Sequence, residues 1–211
     1  MKRNIIVQLL VFTFMSIIST QVFAEESPFS LSFSGQYIPI ISGDAGKGGG
    51  APDYDDAFDD GLAIAVEGAY QLNPKFAILG GISYENYSGD KYQGISFDDL
   101  DILTLYVGSK YYFLSRKKTG WNPYLRADIG VANFDSVDIS YLGVKADYWD
   151  SSWELMLDAG AGVEYKFDRL GVFLEVKARY LDSPSSASKC EFSSADSSWS
   201  IPIMLGVSFN F

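Results

Sequence analysis

The sequence predicts an all-β fold, an eight-stranded antiparallel up-and-down transmembrane β-barrel preceded by a cleavable signal peptide. Three observations carry that prediction. Apolar and polar residues alternate with period two through eight segments. The apolar face of those segments contains no Asp, Glu, Lys or Arg. The opposite face is crowded with small residues, which suits a narrow, inward-curving wall.

Residues 1–24 are set apart from the fold. Lys2 and Arg3 give a positive start, and Ile5 to Ile18 form an apolar run broken by Gln8, Thr13 and Ser16. The stretch "STQVFA" then leads to the small residue Ala24, so cleavage is expected between Ala24 and Glu25. The rival reading, an uncleaved anchor, is opposed by a run that is short for a spanning helix. Residues 25–211 are expected to form one barrel domain. No other apolar stretch there is long enough for a transmembrane helix, and the lone Cys190 allows no disulfide within the chain.

The alternating segments are 29–41, 62–72, 76–87, 102–114, 122–133, 153–167, 171–181 and 199–211. In the second, Leu62, Ile64, Val66, Tyr70 and Leu72 alternate with Ala63, Ala65, Glu67, Ala69 and Gln71. In the last, Ile201, Ile203, Leu205, Val207, Phe209 and Phe211 occupy every second place. Short turns at Asn73-Pro74, "SRKKTG" and Asp168-Arg169 alternate with long polar loops near 42–61, 88–101, 134–152 and 182–198. Pro39 and Pro202 both fall at the long-loop end of the seam between first and last strands. Neither can donate a ladder hydrogen bond, so an irregularity is expected there.

Such strands close in two opposite senses. A soluble carrier of lipocalin type turns its apolar face inward, whereas a membrane barrel turns it toward lipid. Both exclude charge from the apolar face. Size decides: Ala63, Ala65, Gly81, Gly108, Gly130, Ala132, Gly160, Gly162, Gly206 and Ser208 lie on the polar face, where a water-facing surface would carry Lys, Glu, Thr and Gln. The polar face is therefore the inside. Aromatic residues agree, with Phe29, Tyr70, Phe76, Tyr111, Phe113, Tyr165, Phe167, Phe209 and Phe211 toward the short turns, and Tyr37, Tyr84, Trp153, Tyr180 and Trp199 toward the long loops. Two belts flanking an apolar band are what lipid–water interfaces select.

With its leader, eight amphipathic strands, loop asymmetry and terminal "GVSFNF", the chain resembles the small outer-membrane β-barrel proteins of OmpA-like and OmpX-like type. The resemblance implies a Gram-negative cell-surface protein resident in the outer-membrane bilayer. It implies that Phe209 and Phe211 act as the signal read by the barrel-assembly machinery. No periplasmic domain is expected after Phe211, and the protein is expected to be a monomer.

The chain lacks histidine, the usual proton carrier near neutral pH, and the outer-membrane barrel enzyme families each rely on an active-site His. No catalytic residue, cofactor site or metal site is predicted, and the protein is expected not to be an enzyme. The dense polar constellation is the inward set Glu67, Glu85, Lys110, Arg126, Asp128, Glu154, Asp158, Glu164, Lys166, Glu175, Lys177 and Arg179. It reads either as an ion path or as a salt-bridged plug, and near-balance of sign favours the plug. Lys177 and Arg179 are expected to reach Asp158 and Glu164, making the sixth and seventh strands the plug's centre.

Without Lys2 and Arg3, 14 basic residues face 27 acidic ones, and the four long loops carry −5, −3, −3 and −2. Negative loops exclude nucleic acid as a partner. The densest stretch, "DYDDAFDDG" from Asp53 to Gly61, could hold a divalent cation, but a solvated, repulsive loop is the expected reading. "GKGGG" at 46–50 lacks the context of a phosphate loop. The leading functional expectation is a surface-interaction or envelope-integrity protein acting through its acidic loops. A narrow channel for small solutes is the alternative, and a secreted lipocalin-like carrier the second.

Overall fold

Period-two alternation gives a strand two unlike faces, and pairing such strands edge to edge produces a sheet with one apolar and one polar side. The computed structural model describes residues 28–46, 51–114, 119–142, 144–186 and 195–211. Its strands in chain order are β1 (Phe29–Ile38), β2 (Ile40–Ser42), β3 (Gly61–Asn73), β4 (Phe76–Tyr87), β5 (Lys91–Tyr92), β6 (Ile95–Phe97), β7 (Leu100–Tyr112), β8 (Thr119–Phe134), β9 (Val137–Tyr141), β10 (Val144–Trp149), β11 (Ser152–Phe167), β12 (Leu170–Leu181), β13 (Ser198–Ser200) and β14 (Ile203–Asn210). A four-residue helix, α1 (Tyr54–Ala57), lies between β2 and β3.

Eight strands, β1, β3, β4, β7, β8, β11, β12 and β14, form an antiparallel meander in which β14 returns to pair with β1. Closure leaves no sheet edge for hydrocarbon to solvate, the condition for spanning a bilayer. The large apolar residues face outward: Ile64, Val107 and Leu205 are 69%, 61% and 63% exposed. A continuous belt of this kind is a surface for lipid rather than water. Trp121, at 61% exposed, joins the aromatic belt near the short turns, a member the sequence reading did not include.

The seam behaves as its prolines require. Direct β1–β14 pairing ends at Tyr37 opposite Ile203, and the wall continues beyond the prolines as β2 against β13, with a register shift at Trp199/Ser200. Carbonyls of both prolines still accept bonds, Pro39 from the Ile201 amide at 3.1 Å and Pro202 from the Lys177 amide at 3.0 Å. At the other end Phe211 donates its amide to the Phe29 carbonyl at 3.1 Å, and the two rings stack 6.1 Å apart.

The small inward residues are sockets. A Cβ on Gly81 would lie 2.5 Å from the Tyr106 ring, and one on Gly162 2.5 Å from the Tyr124 ring. On Gly108 it would lie 2.0 Å from Asp128 Oδ1, and on Gly160 2.8 Å from the Lys177 side chain. Each glycine gives up its own side chain so that a neighbouring strand's long one can cross the lumen.

The long loops differ most from expectation. They do not simply extend into water but form a second layer over the mouth. Strands β5, β6, β9 and β10 make a separate sheet in the order β10-β9-β6-β5. Its β5–β6 hairpin turns through Gln93 and Gly94, both with positive φ (50° and 86°), the primed turn that matches strand twist.

Candidate functional site

Inward residues at successive heights build a lumen of three layers. The layer nearest the short turns holds Ser30, Ser32, Tyr112, Tyr124, Glu164, Phe173 and Ser208 around a cavity of about 10 Å³. Ser208 donates to Glu164 Oε1 at 2.6 Å, and the Lys110 ammonium lies 5.1 Å from the Tyr124 ring centre and 5.4 Å from that of Phe173.

The middle layer is one continuous chain of ion pairs. Glu67 on β3 meets Lys110 Nζ on β7 at 2.8 Å and Arg126 Nη2 on β8 at 2.7 Å. Arg126 donates from Nε to Asp128 Oδ2 at 2.6 Å, and its Nη1 lies 3.2 Å from Glu175 Oε1 on β12. Lys177 Nζ bridges Asp158 at 2.6 Å and Asp128 at 3.7 Å. Arg179 grips Asp158 through Nε at 2.9 Å and Nη2 at 3.1 Å, and pairs through Nη1 with Glu85 on β4. Neutral donors complete the shells: Tyr124 to Glu175 at 2.8 Å, and Ser83 and Tyr87 each to Glu85 at 3.1 Å.

This geometry places the predicted inward residues individually. Glu67, Glu85, Lys110, Arg126, Asp128, Asp158, Glu175, Lys177 and Arg179 join the chain. Glu164 and Lys166 are buried nearer the short turns. Glu154 is only half-buried and stands outside the chain, because it sits near the mouth end of β11. The expected bond from Lys177 or Arg179 to Glu164 is corrected. Lys177 lies opposite Gly160, Arg179 opposite Asp158, and Glu164 opposite Phe173. Glu164 is four residues from Gly160, about 13 Å along a strand, so both cations converge on Asp158. The hub is accordingly Arg126, which contacts three carboxylates, rather than the β11–β12 hairpin alone. Ala24 and Glu25 lie outside the described residues, as do residues 47–50 of "GKGGG" and Cys190.

The uppermost layer is apolar. Near the mouth the inward positions change from charged to greasy, with Ile38, Ile102, Phe134, Met156 and Leu181 all buried. Above them Tyr54 and Phe58, four residues apart on α1 and its end, point down from the acidic stretch into an aromatic cluster. Trp149 is its centre, with ring centroids 5.5 Å from Tyr54, 5.6 Å from Phe58 and 5.4 Å from Tyr148. Phe97 closes the other side, 5.8 Å from Phe58 and 5.4 Å from Tyr148. Backbone bonds tie the loops together: Asp59 to Ser88, Asp90 to Ala57, Asp98 to Asp138 and Asp196 to Asp44, each 2.9 Å. The Tyr148 hydroxyl donates to the Ala45 carbonyl at 2.9 Å.

The reading of residues 53–61 as merely solvated is therefore corrected in part. Asp55, Asp56, Asp59 and Asp60 are exposed, while Tyr54, Ala57 and Phe58 are buried. The signal was present as aromatics at i and i+4 within a charged run. Burial raises the Tyr54 phenol well above its ordinary pKa, and partial desolvation with the facing Asp44 carboxylate raises Asp53. Among the described residues no group of three or more Asp, Glu, Cys or His converges as a metal site would require.

Physically, this arrangement obstructs the lumen. A cavity of about 20 Å³ lies between the cap and the ion pairs, lined by Ile40, Tyr87, Phe134 and Ser200 among others. It and the 10 Å³ cavity below each have room for about one water molecule.

Comparison with known proteins agrees with the fold. Neisserial surface protein A has 14% identity and a TM-score of 0.57, with 89% of this chain and 100% of that chain covered. Outer membrane protein OprG from Pseudomonas aeruginosa has 12% identity and a TM-score of 0.56, covering 89% of this chain and 98% of that one. Outer membrane protein AlkL, solved in lipid bilayers, has 14% identity and a TM-score of 0.52, covering 90% and 93%. Among curated proteins none matches the sequence significantly. The family model described as outer membrane protein beta-barrel domain matches residues 10–211. With its closed eight-stranded wall and apolar outer belt, the chain belongs to that outer-membrane β-barrel family.

Proposed function

We propose that this protein is a non-enzymatic, closed barrel that works through the outward surface of its loop cap, in adhesion or other surface interaction, and not as a conduit. The observation that supports this reading most is the aromatic cluster around Trp149, which covers a lumen already crossed by ion pairs. A structure that spends this much buried polar and aromatic material on closing its own mouth leaves only the outer face of the cap to meet other molecules. That face carries exposed Asp55, Asp56, Asp59 and Asp60.

Cells displaying the wild-type chain can be compared with cells displaying a variant with those four aspartates changed to asparagine. Adhesion to amine-coated beads should fall in the variant, while uptake of small solutes stays the same. Changed uptake with unchanged adhesion would instead favour the channel.

Membership of the outer-membrane bilayer and assembly by the barrel-assembly machinery belong to the same proposal. Phe209 and Phe211 are proposed as the terminal signal. In the folded barrel Phe211 adds one backbone bond and one ring contact at the seam. Deleting Phe211 should therefore lower the amount of folded protein in outer membranes severalfold, yet leave the stability of barrel refolded in detergent close to wild type. Normal membrane levels after the deletion would remove the assembly role.

A further inference from the structure

The cap sheet has two unlike faces. Val137, Ile139 and Tyr141 follow at every second position of β9; Phe97 and Ile95 stand opposite Ile139 and Tyr141, and Val144 opposite Tyr141. Directly opposed residues share a face, so these side chains form one apolar stripe. The stripe is covered at its root and bare at its tip. Val137 and Phe97 are 0% and 6% exposed within the aromatic core, whereas Tyr141 and Val144 are 54% and 71% exposed. Leu142, at the hairpin end beside them, is 86% exposed.

The other face is polar and balanced in sign, with Lys91 and Lys145 in one row through Ser96 and Ser140, and Asp138 and Asp147 in the next. Asp138 and Asp147 stand directly opposite each other, an arrangement that costs the hairpin stability rather than supporting it. Lys145 is held by Asp98 at 3.0 Å, which raises its pKa and pairs its charge at the surface. Among the described residues of the long loops the cations are Lys145 and Lys91, against exposed aspartates in each of the first three loops.

We propose that the tip formed by Tyr141, Leu142 and Val144 is the docking surface for a cationic polypeptide that presents an apolar ridge. The inference rests on the surface-interaction reading and names its contact. Exposed aromatic and aliphatic residues supply the contact that gains most from leaving water. The net negative charge of the four long loops selects the sign of the partner and speeds its approach. A second copy of this chain would bring the same negative field, and an anionic lipid surface would be repelled likewise.

The full chain in neutral-lipid nanodiscs is titrated with a short synthetic peptide alternating lysine and leucine, with empty nanodiscs as blank. Saturable binding is expected, and Tyr141→Ser with Val144→Ser should weaken it by about tenfold or more. These side chains are exposed, so folding is retained, as heat-modifiable gel migration will show. An oligolysine of equal charge should bind weakly, and a glutamate–leucine peptide not at all. Equal binding by the double variant, or by the glutamate–leucine peptide, overturns the proposal. So does self-association or adsorption to anionic vesicles that depends on Tyr141 and Val144, because each identifies a different occupant. Loss of bead adhesion on neutralising Asp55, Asp56, Asp59 and Asp60, with peptide binding indifferent to Tyr141 and Val144, would leave the surface role standing and sink this contact alone.

Discussion

Replacing Arg126 with alanine should destabilise the barrel by about 3–5 kcal/mol, the usual cost of stranding a buried charge. Its guanidinium contacts Glu67, Asp128 and Glu175 together, and no other cation among the described residues pairs with all three. Glu67 would keep Lys110 at 2.8 Å, Asp128 would keep Lys177 at 3.7 Å, and Glu175 would keep the Tyr124 hydroxyl at 2.8 Å. Three carboxylates would then share weaker partners in a narrow lumen. Arg179→Ala should cost somewhat less, because it spans only Asp158 and Glu85, and Glu85 retains Ser83 and Tyr87 as donors. Asp158→Ala combined with Arg179→Ala should cost less than the two single changes added, since contacting charges are coupled. Urea unfolding of detergent-refolded protein, read by gel migration, measures all of these. An Arg126→Ala barrel as stable as wild type would show that the chain of ion pairs does not hold the lumen.

Trp149→Ala should have the second large effect, and a different one. Trp149 is fully buried and touches Tyr54, Phe58 and Tyr148, so its removal opens a hole in the centre of the cap. Large-to-small changes of this kind cost about 3–5 kcal/mol. The loss should fall on the loop layer, whose sheet is hydrogen-bonded separately from the wall, and leave the eight-stranded wall closed. Limited proteolysis should then cut within 51–61 or 135–150 in the variant and spare the wild type, while heat-modifiable migration is retained in both. A variant whose loops resist protease as well as wild type would mean that the aromatic cluster does not hold the cap.

The wall was legible because its physics is local. Alternation of Leu62, Ile64 and Val66 with Ala63, Ala65 and Glu67 assigns faces without knowledge of any partner. A two-residue turn at Asp168-Arg169 also brings Asp158 opposite Arg179 once the register is counted back along the hairpin. Contacts across the lumen were not legible. Arg126 and Glu67 are 59 positions apart on non-adjacent strands, and alternation says that both point inward but not which pairs meet. The cap was missed for another reason. Tyr54, Phe58, Phe97, Tyr148 and Trp149 are scattered singly or in pairs through three aspartate-rich loops, and only their convergence in space makes a core. Ile102 and Phe134 carried a usable hint, since they occupy inward positions of β7 and β8 yet are apolar.

Single-channel recording of the purified wild-type protein in a planar bilayer tests the central claim most directly. A lumen crossed from Glu67 to Glu85 by ion pairs and roofed by Trp149 should show no steady ion conductance above the bare membrane. Well-resolved, reproducible openings that scale with the amount of protein would contradict the closed barrel and establish a channel in its place.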